Sequence, residues 1–179
     1  MRLYFHHVGE TGSRRDFPRT IWNEIDIQTV EEAIPTNNPY RAPLLRDLNV
    51  KFPDGKFNVW GVPQGASIVI RNLCVGDVVL LVETIRLGGH VPALCSVSVF
   101  QAQVFPELSR ALWTESHFPY IFFFHTERID LTWEELKEHL GYSERFDPRG
   151  QFYRVKEGKP EGFGSPVGFV RWLREERRA

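Results

Sequence analysis

The sequence predicts an α+β fold, in which a small, strongly bent mixed sheet or half-open β-barrel carries short helices on its outside. Three observations lead to this prediction. Segments rich in aliphatic and aromatic residues recur along the chain at lengths that suit strands. The helical segments between them are short and do not alternate regularly with the strands. The chain also has no internal repeat and no low-complexity tract, which argues against a solenoid or a fibrous protein.

In the first half of the chain, β-prone runs predict strands, apolar spacing predicts helices, and clusters of Gly, Pro and Asn predict turns. The organising strand is Phe57-Asn58-Val59-Trp60, which Gly61 and Pro63 end abruptly. The predicted order is a strand over residues 2–8, a loop over 9–19, a helix over 21–34, a turn over 36–39, a helical turn over 44–50, a turn over 53–55, a strand over 57–60 and a short helix over 64–73.

In the second half, the best-defined local signal is Thr132-Trp133-Glu134-Glu135, which has the pattern of a capping box at a helix start. Pro106 and Pro166 suit the first positions of two further helices. The predicted order is a buried strand over residues 78–82, a hairpin turn at Gly88-Gly89, a returning strand over 90–104, a helix ending at Trp113, a central strand over 120–124, a helix closed by Gly141 and a last helix from Pro166.

The composition is typical of a globular protein, with 42% hydrophobic and 25% charged residues in a chain of 179. There is no apolar run of membrane-spanning length and no signal peptide, so we expect a soluble cytoplasmic protein without a membrane partner. A net charge of −1 argues against nonspecific coating of nucleic acid. Cys74 and Cys95 lack a CxxC pattern, which predicts buried, reduced thiols.

We expect residues 1–179 to form a single domain at the N-terminus of a longer protein, because the chain stops within the charge run Arg174-Glu175-Glu176-Arg177-Arg178.

Trp60 and Trp113 are the candidate binding residues. Trp60 lies beside Gly61, where the absence of a side chain lets a flat ligand approach the backbone. Trp113 lies among polar residues, where a core tryptophan is unexpected. The alternative is that both indoles are ordinary core residues, and the residues alone leave these two interpretations open.

Enzyme interpretations have less support. The segment Gly61-Val62-Pro63-Gln64-Gly65-Ala66-Ser67 has no Lys before its Ser, as a phosphate-binding loop requires. Pro53-Asp54 with Glu157-Gly158-Lys159 has the residue types of a PD…ExK nuclease motif, but the second part lies in a glycine-flanked turn and not in a strand. The six histidines show no metal-ligand spacing. We therefore expect no catalytic residues, no metal and no cofactor.

The order of these motifs resembles the EVE and YTH branch of the PUA-like superfamily. Trp-Gly-Val ends one strand, Val-Gly-Asp precedes an apolar strand, and a helix ending in Leu-Trp is followed by the aromatic strand Tyr120-Ile121-Phe122-Phe123-Phe124. The resemblance covers roughly residues 57–142 and is greatest to the N-terminal domains of McrB-like, modification-dependent restriction systems. A long insertion over residues 9–56 departs from the YTH pattern.

This resemblance implies a cage for a methylated base, in which Trp60 and Trp113 hold the ring between them and the backbone at Gly61 or Val62 reads its edge. Phe118 or Tyr120 would form the third wall. The residue that reads the ring nitrogen is left open among Asn58, Asn37, Asn38 and Asp16. Phosphate contacts beside an extruded base are expected from a set of basic side chains: Arg14, Arg15, Arg19, Arg41, Lys56 and Arg71.

The function that the resemblance implies is reading a methylated base, first of all N6-methyladenine, that is flipped out of double-stranded DNA. The alternatives are a reader of 5-methylcytosine, a reader of a base in RNA and, from the enzyme class, a small metal-dependent nuclease. The implied partners are methylated duplex DNA and a fused AAA+ motor domain that works with a nuclease subunit.

Overall fold

The computed structural model describes residues 1–83, 89–146, 152–156 and 158–179. The chain divides into two compact units. The first consists of Met1–Ser13, Gly76–Ser96 and Thr126–Ala179, and the second of Arg14–Val75 and Val97–His125.

Strands and helices are mixed in the described residues, and the predicted α+β class is confirmed. The strands are β1 (Leu3–His7), β2 (Ile25–Asp26), β3 (Lys56–Val62), β4 (Val78–Glu83), β5 (His90–Ser96), β6 (Val99–Phe100), β7 (Tyr120–Phe124), β8 (Thr126–Arg128) and β9 (Phe152–Arg154). The helices are α1 (Gly9–Thr20), α2 (Ile27–Ala33), α3 (Arg41–Lys51), α4 (Ser67–Ile70), α5 (Pro106–Trp113), α6 (Trp133–His139) and α7 (Pro166–Glu176).

The first unit contains a five-stranded sheet in the order β8-β5-β4-β1-β9. Its β1 and β4 are parallel, and its other described pairs are antiparallel. Asp77 fixes the start of the parallel pair, because its carboxylate accepts hydrogen bonds from the backbone and the guanidinium of Arg2. One face of this sheet packs in a core that includes Phe5, Trp133 and Phe169.

Both helices with side-chain caps in this unit begin where the sequence predicts. Thr132 and Glu135 form the complete capping box of α6. The Ser165 side chain accepts from the backbone of Gly168 at the start of α7, and Pro166 occupies the first helical turn. The N-terminal boundaries of α6 and α7 are therefore set by capping residues close in sequence.

The second unit contains a four-stranded sheet in the order β2-β3-β7-β6. All five residues of β7 are buried, and the predicted central strand is confirmed because β7 pairs with both β3 and β6. The hydrogen-bonded strands thus form two sheets, where the sequence predicted one bent sheet, and neither sheet closes into a barrel within the described ranges.

The prediction of a loop over residues 9–19 is wrong, because this segment forms α1. Its buried positions are Ser13, Asp16, Phe17 and Thr20, which follow the i, i+3, i+4, i+7 spacing of one helix face. Three of these four residues are polar. The hydrophobic periodicity that identifies a helix is therefore absent from its sequence.

Three other predictions also need correction. The returning strand predicted over residues 90–104 is divided, because β5 ends at Ser96 and β6 begins at Val99 in the other sheet. The organising strand does not end at Trp60, because β3 continues through Gly61 and Val62 in register with β7. The helix predicted over residues 21–34 is confined to α2, and β2 precedes it.

Cys95 is buried as predicted, but Cys74 is exposed. The hairpin turn predicted at Gly88-Gly89 involves Gly88, which lies outside the described residues. Among the helices described, none is long and apolar enough to cross a membrane.

Candidate nucleic-acid interface

Five aromatic rings of the second unit form a continuous chain of edge-to-face contacts, which we name the aromatic cluster. Phe17 lies between Trp22 and Trp60, with ring centroids 5.6 and 5.2 Å away. Trp113 then lies between Trp60 and Phe118, each centroid 5.8 Å away. The cluster brings together residues from α1, β3, the end of α5 and the segments that follow α1 and α5.

The two predicted cage tryptophans are the most deeply buried indoles of this cluster. Trp60 is 3% exposed and Trp113 is 1% exposed, and their planes meet at 70°. A base held between two parallel rings needs them about 7 Å apart, since each stacked layer takes about 3.5 Å. In this arrangement the indoles contact each other directly, so a base can lie between them only after they separate.

The backbone at Gly61 is covered as well. A Cβ atom placed there would lie 2.6 Å from the Phe118 carbonyl oxygen and 2.8 Å from the Trp113 ring. Val62 and Tyr120, which pair across the sheet, are both buried. Gly61 is thus needed for close packing of Phe118 and Trp113 onto β3, where the sequence predicted an open approach for a ligand.

The sequence therefore identified residues that meet in space, although it did not predict their burial. Contacts connect Trp60, Gly61, Trp113 and Phe118. Val62 and Tyr120 form the next pair of β3 and β7 at the same end of the sheet. That these residues bind a base is still a prediction.

Sequence reasoning missed two members of the aromatic cluster, Phe17 and Trp22. Phe17 is fully buried, whereas Trp22 lies nearer the surface. Its side chain is only partly buried, and it lies directly after α1, where its backbone N–H donates to the Phe17 carbonyl. The polar residues Asn23 and Glu24 follow it and are exposed. This Trp-Asn-Glu sequence indicates a surface position, but the prediction of one long helix over residues 21–34 concealed the signal.

The side chain of Asn58 anchors the segment that carries Trp22 through hydrogen bonds to its backbone. The amide nitrogen of this residue donates to the carbonyl oxygens of Thr20, Ile21 and Asn23 at 3.2, 3.1 and 3.3 Å. The indole nitrogen of Trp113 donates to the Thr20 hydroxyl at 3.3 Å. Asn58, a predicted base reader, is therefore bonded to the backbone that presents Trp22.

A network of charges links α1 to the segment after Trp113. Arg15 donates to both carboxylate oxygens of the buried Asp16 and, at 2.9 Å, to Glu115. His117 lies 3.1 Å from the other oxygen of Glu115. The hydrogen bond from Arg15 is the main cause that lowers the pKa of Glu115, and the bond to Asp16 is the main cause that raises the pKa of Arg15.

Ser109, which is fully buried in α5, fastens the same segment. Its hydroxyl donates to the Glu115 carbonyl at 2.7 Å and accepts from the backbone N–H of Phe118 at 3.2 Å. Phe118 is half-buried, so this segment holds the second partly exposed ring of the aromatic cluster in place.

The six predicted phosphate-binding side chains differ in their exposure and in their hydrogen-bond partners. Arg14 and Arg19 are exposed on α1, close in sequence to Trp22. Arg41 donates to two carbonyl oxygens at the end of α2, which is a structural role. Arg71 donates to the Tyr120 hydroxyl at 3.1 Å.

The remaining two are less suited to phosphate contacts beside the cluster. Two carboxylates neutralise Arg15, as described above. Lys56 is exposed at the far end of β3 from Gly61, about 17 Å away along an extended strand.

No group of three or more His, Cys, Asp or Glu side chains that could hold a metal ion is found in the described part of the chain. Three of the four candidates for reading a ring nitrogen are engaged within the protein, and Asn58 is one of them, through its bonds to the segment that carries Trp22. Asp16 is ion-paired to Arg15, and the Asn38 side chain accepts from the backbone of Tyr40.

Comparison with known proteins identifies this fold. No family model matches the sequence, and no curated protein matches it. Among solved structures, the N-terminal domain of Thermococcus gammatolerans McrB bound to m5C DNA is similar, with a TM-score of 0.69 and 16% sequence identity. The similarity covers 95% of this chain and 99% of that chain. The predicted resemblance to a McrB N-terminal domain is therefore confirmed, and at this identity it concerns the fold.

Proposed function

We propose that this chain is a DNA-binding module that recognises a methylated base flipped out of duplex DNA. One observation carries the proposal: the fold matches, over nearly the whole of both chains, a domain whose structure was solved with methylated DNA. A base inside a duplex is covered on both faces, so a reader that inspects the whole ring must first extrude it.

The aromatic cluster supports this proposal as the place where the base is held. Stacking on an aromatic side chain contributes roughly 1–3 kcal/mol per base, which offsets part of the cost of extrusion. Trp22 and Phe118 are the two members of the cluster that are not fully buried. We assign the first contact with the base to these two rings, while Trp60 and Trp113 form the second layer or separate to admit it.

Rigid presentation of Trp22 favours a binding role over a passive one. A partly exposed indole on a segment with several side-chain anchors has little conformational freedom left to lose on binding. Tryptophan residues in such positions commonly carry much of the energy of an interface.

N6-methyladenine is the proposed base, on the strength of the YTH-like order of Asn58-Val59-Trp60 and Leu112-Trp113-Thr114. 5-Methylcytosine is the second candidate, since the similar McrB domain was solved with m5C DNA. One buried methyl group contributes only about 0.8 kcal/mol, or about fourfold in affinity. Larger discrimination requires that the protein also excludes water around the methyl group.

Phosphate contacts are proposed for Arg14, Arg19 and Arg71, whose side chains are exposed on or next to elements that carry the cluster. Because the net charge is −1, nonspecific binding should be weak, and selectivity for a modified base then determines where the chain binds. In this proposal the chain targets a restriction complex and is not itself catalytic. The motor domain and the nuclease subunit belong to other parts of that assembly.

The test is fluorescence polarisation with labelled duplexes that differ only in one base: adenine, N6-methyladenine, cytosine or 5-methylcytosine. The wild-type chain should bind one methylated duplex at least about tenfold more tightly than its unmethylated counterpart. An RNA oligonucleotide with the same methylated base separates a DNA reader from an RNA reader. Equal binding to all duplexes would refute the proposal.

Site assignment is tested with the same assay on tryptophan variants. Trp22→Ala should weaken binding to the methylated duplex by about tenfold to a hundredfold, as loss of one stacking contact of 1–3 kcal/mol requires. Trp172→Ala is a matched control, because Trp172 is also a partly buried indole but packs on Phe169 in the first unit. Trp60→Ala completes the series and must be checked for folding by circular dichroism, since Trp60 is buried.

A further inference from the structure

Ile68, on the short helix α4, is the most exposed large apolar side chain of the described residues. It is 83% exposed, compared with 72% for Val50 and 57% for Val75. Water contact on nearly the whole of an isoleucine side chain is unfavourable, and α4 contains a serine and two further apolar residues that are less exposed. Folding of the second unit does not account for an isoleucine at this position.

The helix that presents Ile68 is well fixed. Ile70 is fully buried, so α4 has an inward as well as an outward face. The Asn72 side chain donates to the Ile68 carbonyl at 2.9 Å. Arg71 places its guanidinium 5.9 Å from the centre of the Tyr120 ring and donates to the Tyr120 hydroxyl. These contacts hold Ile68 in a defined position.

The position of α4 is at the same end of the sheet as the aromatic cluster. β3 and β7 are antiparallel, and Gly61 pairs with Ile121 while Val62 pairs with Tyr120. Phe118 and Trp113 pack against Gly61 at this end. Residues 64–70 follow β3 directly, and Arg71 returns to Tyr120 at the start of β7.

The surroundings of Ile68 are polar, and their chemistry suits nucleic acid. Gln64, Arg71 and Asn72 are exposed, and Arg71 lies three residues from Ile68, on the same side of a helical turn. Arginine contacts phosphate, and glutamine and asparagine hydrogen-bond to base edges or sugars. A single apolar side chain among such residues differs from the broad apolar patch that binds another protein.

We propose that Ile68 is a wedge that enters the DNA base stack at the position from which the methylated base is extruded. Proteins that kink or open a duplex commonly insert Ile, Leu, Phe, Met or Pro between base steps. The inserted side chain replaces part of the lost stacking and thereby keeps the base outside the helix. This inference rests on the proposed function, because a wedge is needed only by a protein that acts on duplex DNA.

The experiment compares Ile68→Ala, Ile68→Leu and Val50→Ala with the wild-type chain. Binding is measured by fluorescence polarisation to a duplex with one methylated base, of the type that the wild-type chain prefers, and to the methylated single strand alone. Val50→Ala is the matched control, since Val50 is another strongly exposed branched side chain of the same unit, on α3. Truncation of exposed side chains should leave folding intact, which circular dichroism verifies.

Ile68→Ala should weaken binding to the methylated duplex by about tenfold, because stabilisation of the opened stack is lost. Binding to the single strand should change by less than about twofold, since a single strand has no paired stack to open. Ile68→Leu should retain wild-type duplex binding, and Val50→Ala should have no effect on either DNA.

An equal loss on duplex and single strand would show that Ile68 is a simple contact and would overturn the wedge. Unchanged duplex binding by Ile68→Ala would also overturn it. The proposed function fails separately, in the wild-type chain alone, if methylated and unmethylated duplexes bind equally.

Discussion

Asn58 provides the sharpest test of how the second unit positions Trp22. Its side-chain amide supplies two N–H groups to three backbone carbonyls, those of Thr20, Ile21 and Asn23, and the residue is only 5% exposed. The substitution Asn58→Ala removes both donors. It leaves the carbonyls of the buried residues Thr20 and Ile21, and that of the exposed residue Asn23, without this partner.

The expected cost is about 2 kcal/mol in the free energy of unfolding, since each buried group that loses its partner costs about 1–3 kcal/mol and two of the three bonds, those to Thr20 and Ile21, are buried. For a chain of this size that corresponds to a decrease in Tm of about 4–8 °C. The freed segment must also be reordered whenever DNA binds. We therefore expect binding to the methylated duplex to weaken by about fivefold beyond any loss of folded protein.

The assay combines urea unfolding, followed by circular dichroism, with acrylamide quenching of tryptophan fluorescence in the native state. Asn49→Ala is the control, because Asn49 also donates to a backbone carbonyl, that of Leu45, but is exposed on α3. Asn49→Ala should change the free energy of unfolding by less than about 0.5 kcal/mol. If Asn58→Ala is as stable as Asn49→Ala, the anchoring role assigned to Asn58 is wrong.

Two further predictions follow from packing and from proton binding. Gly61→Ala should destabilise the protein by about 1–3 kcal/mol in thermal unfolding, because the new Cβ would lie 2.6 Å from the Phe118 carbonyl oxygen. Gly65→Ala is the control and should be nearly neutral, since a Cβ at Gly65 meets no atom within 4 Å. His6 is fully buried, and burial lowers its pKa from 6.5 to about 3. The unfolded chain therefore binds a proton there first, so stability should fall by about 1.4 kcal/mol per pH unit as the pH decreases from about 6.5 toward 3. His6→Leu should reduce this slope in urea titrations at several pH values, and an unchanged slope would contradict the neutral state of His6.

Local chemistry in the sequence was sufficient for several boundaries of the fold. The capping box at Thr132, the proline at the start of α5 and the continuous apolar run of β7 each predicted their element, and all three are present in the structure. These signals act between residues close in sequence, so no knowledge of the partner element is needed to recognise them. The same holds for the class of the fold, which follows from the mixture of strand and helix patterns.

Only the tertiary structure decided which face of each element is buried. Hydrophobic periodicity does not reveal α1, because one of its buried positions is Asp16, which is ion-paired with Arg15. Glu115 completes this network from a segment one hundred residues away along the chain. Trp60 and Trp113 are identified correctly as neighbours, but whether two aromatic rings leave a gap depends on the side chains packed around them. The space beside Gly61 is filled by Phe118 and Trp113. Hydrogen bonds from Asn58 fix the backbone next to Trp22, which stays partly exposed. Sequence specifies the residues and their local conformation, whereas exposure is a property of all the atoms that pack together.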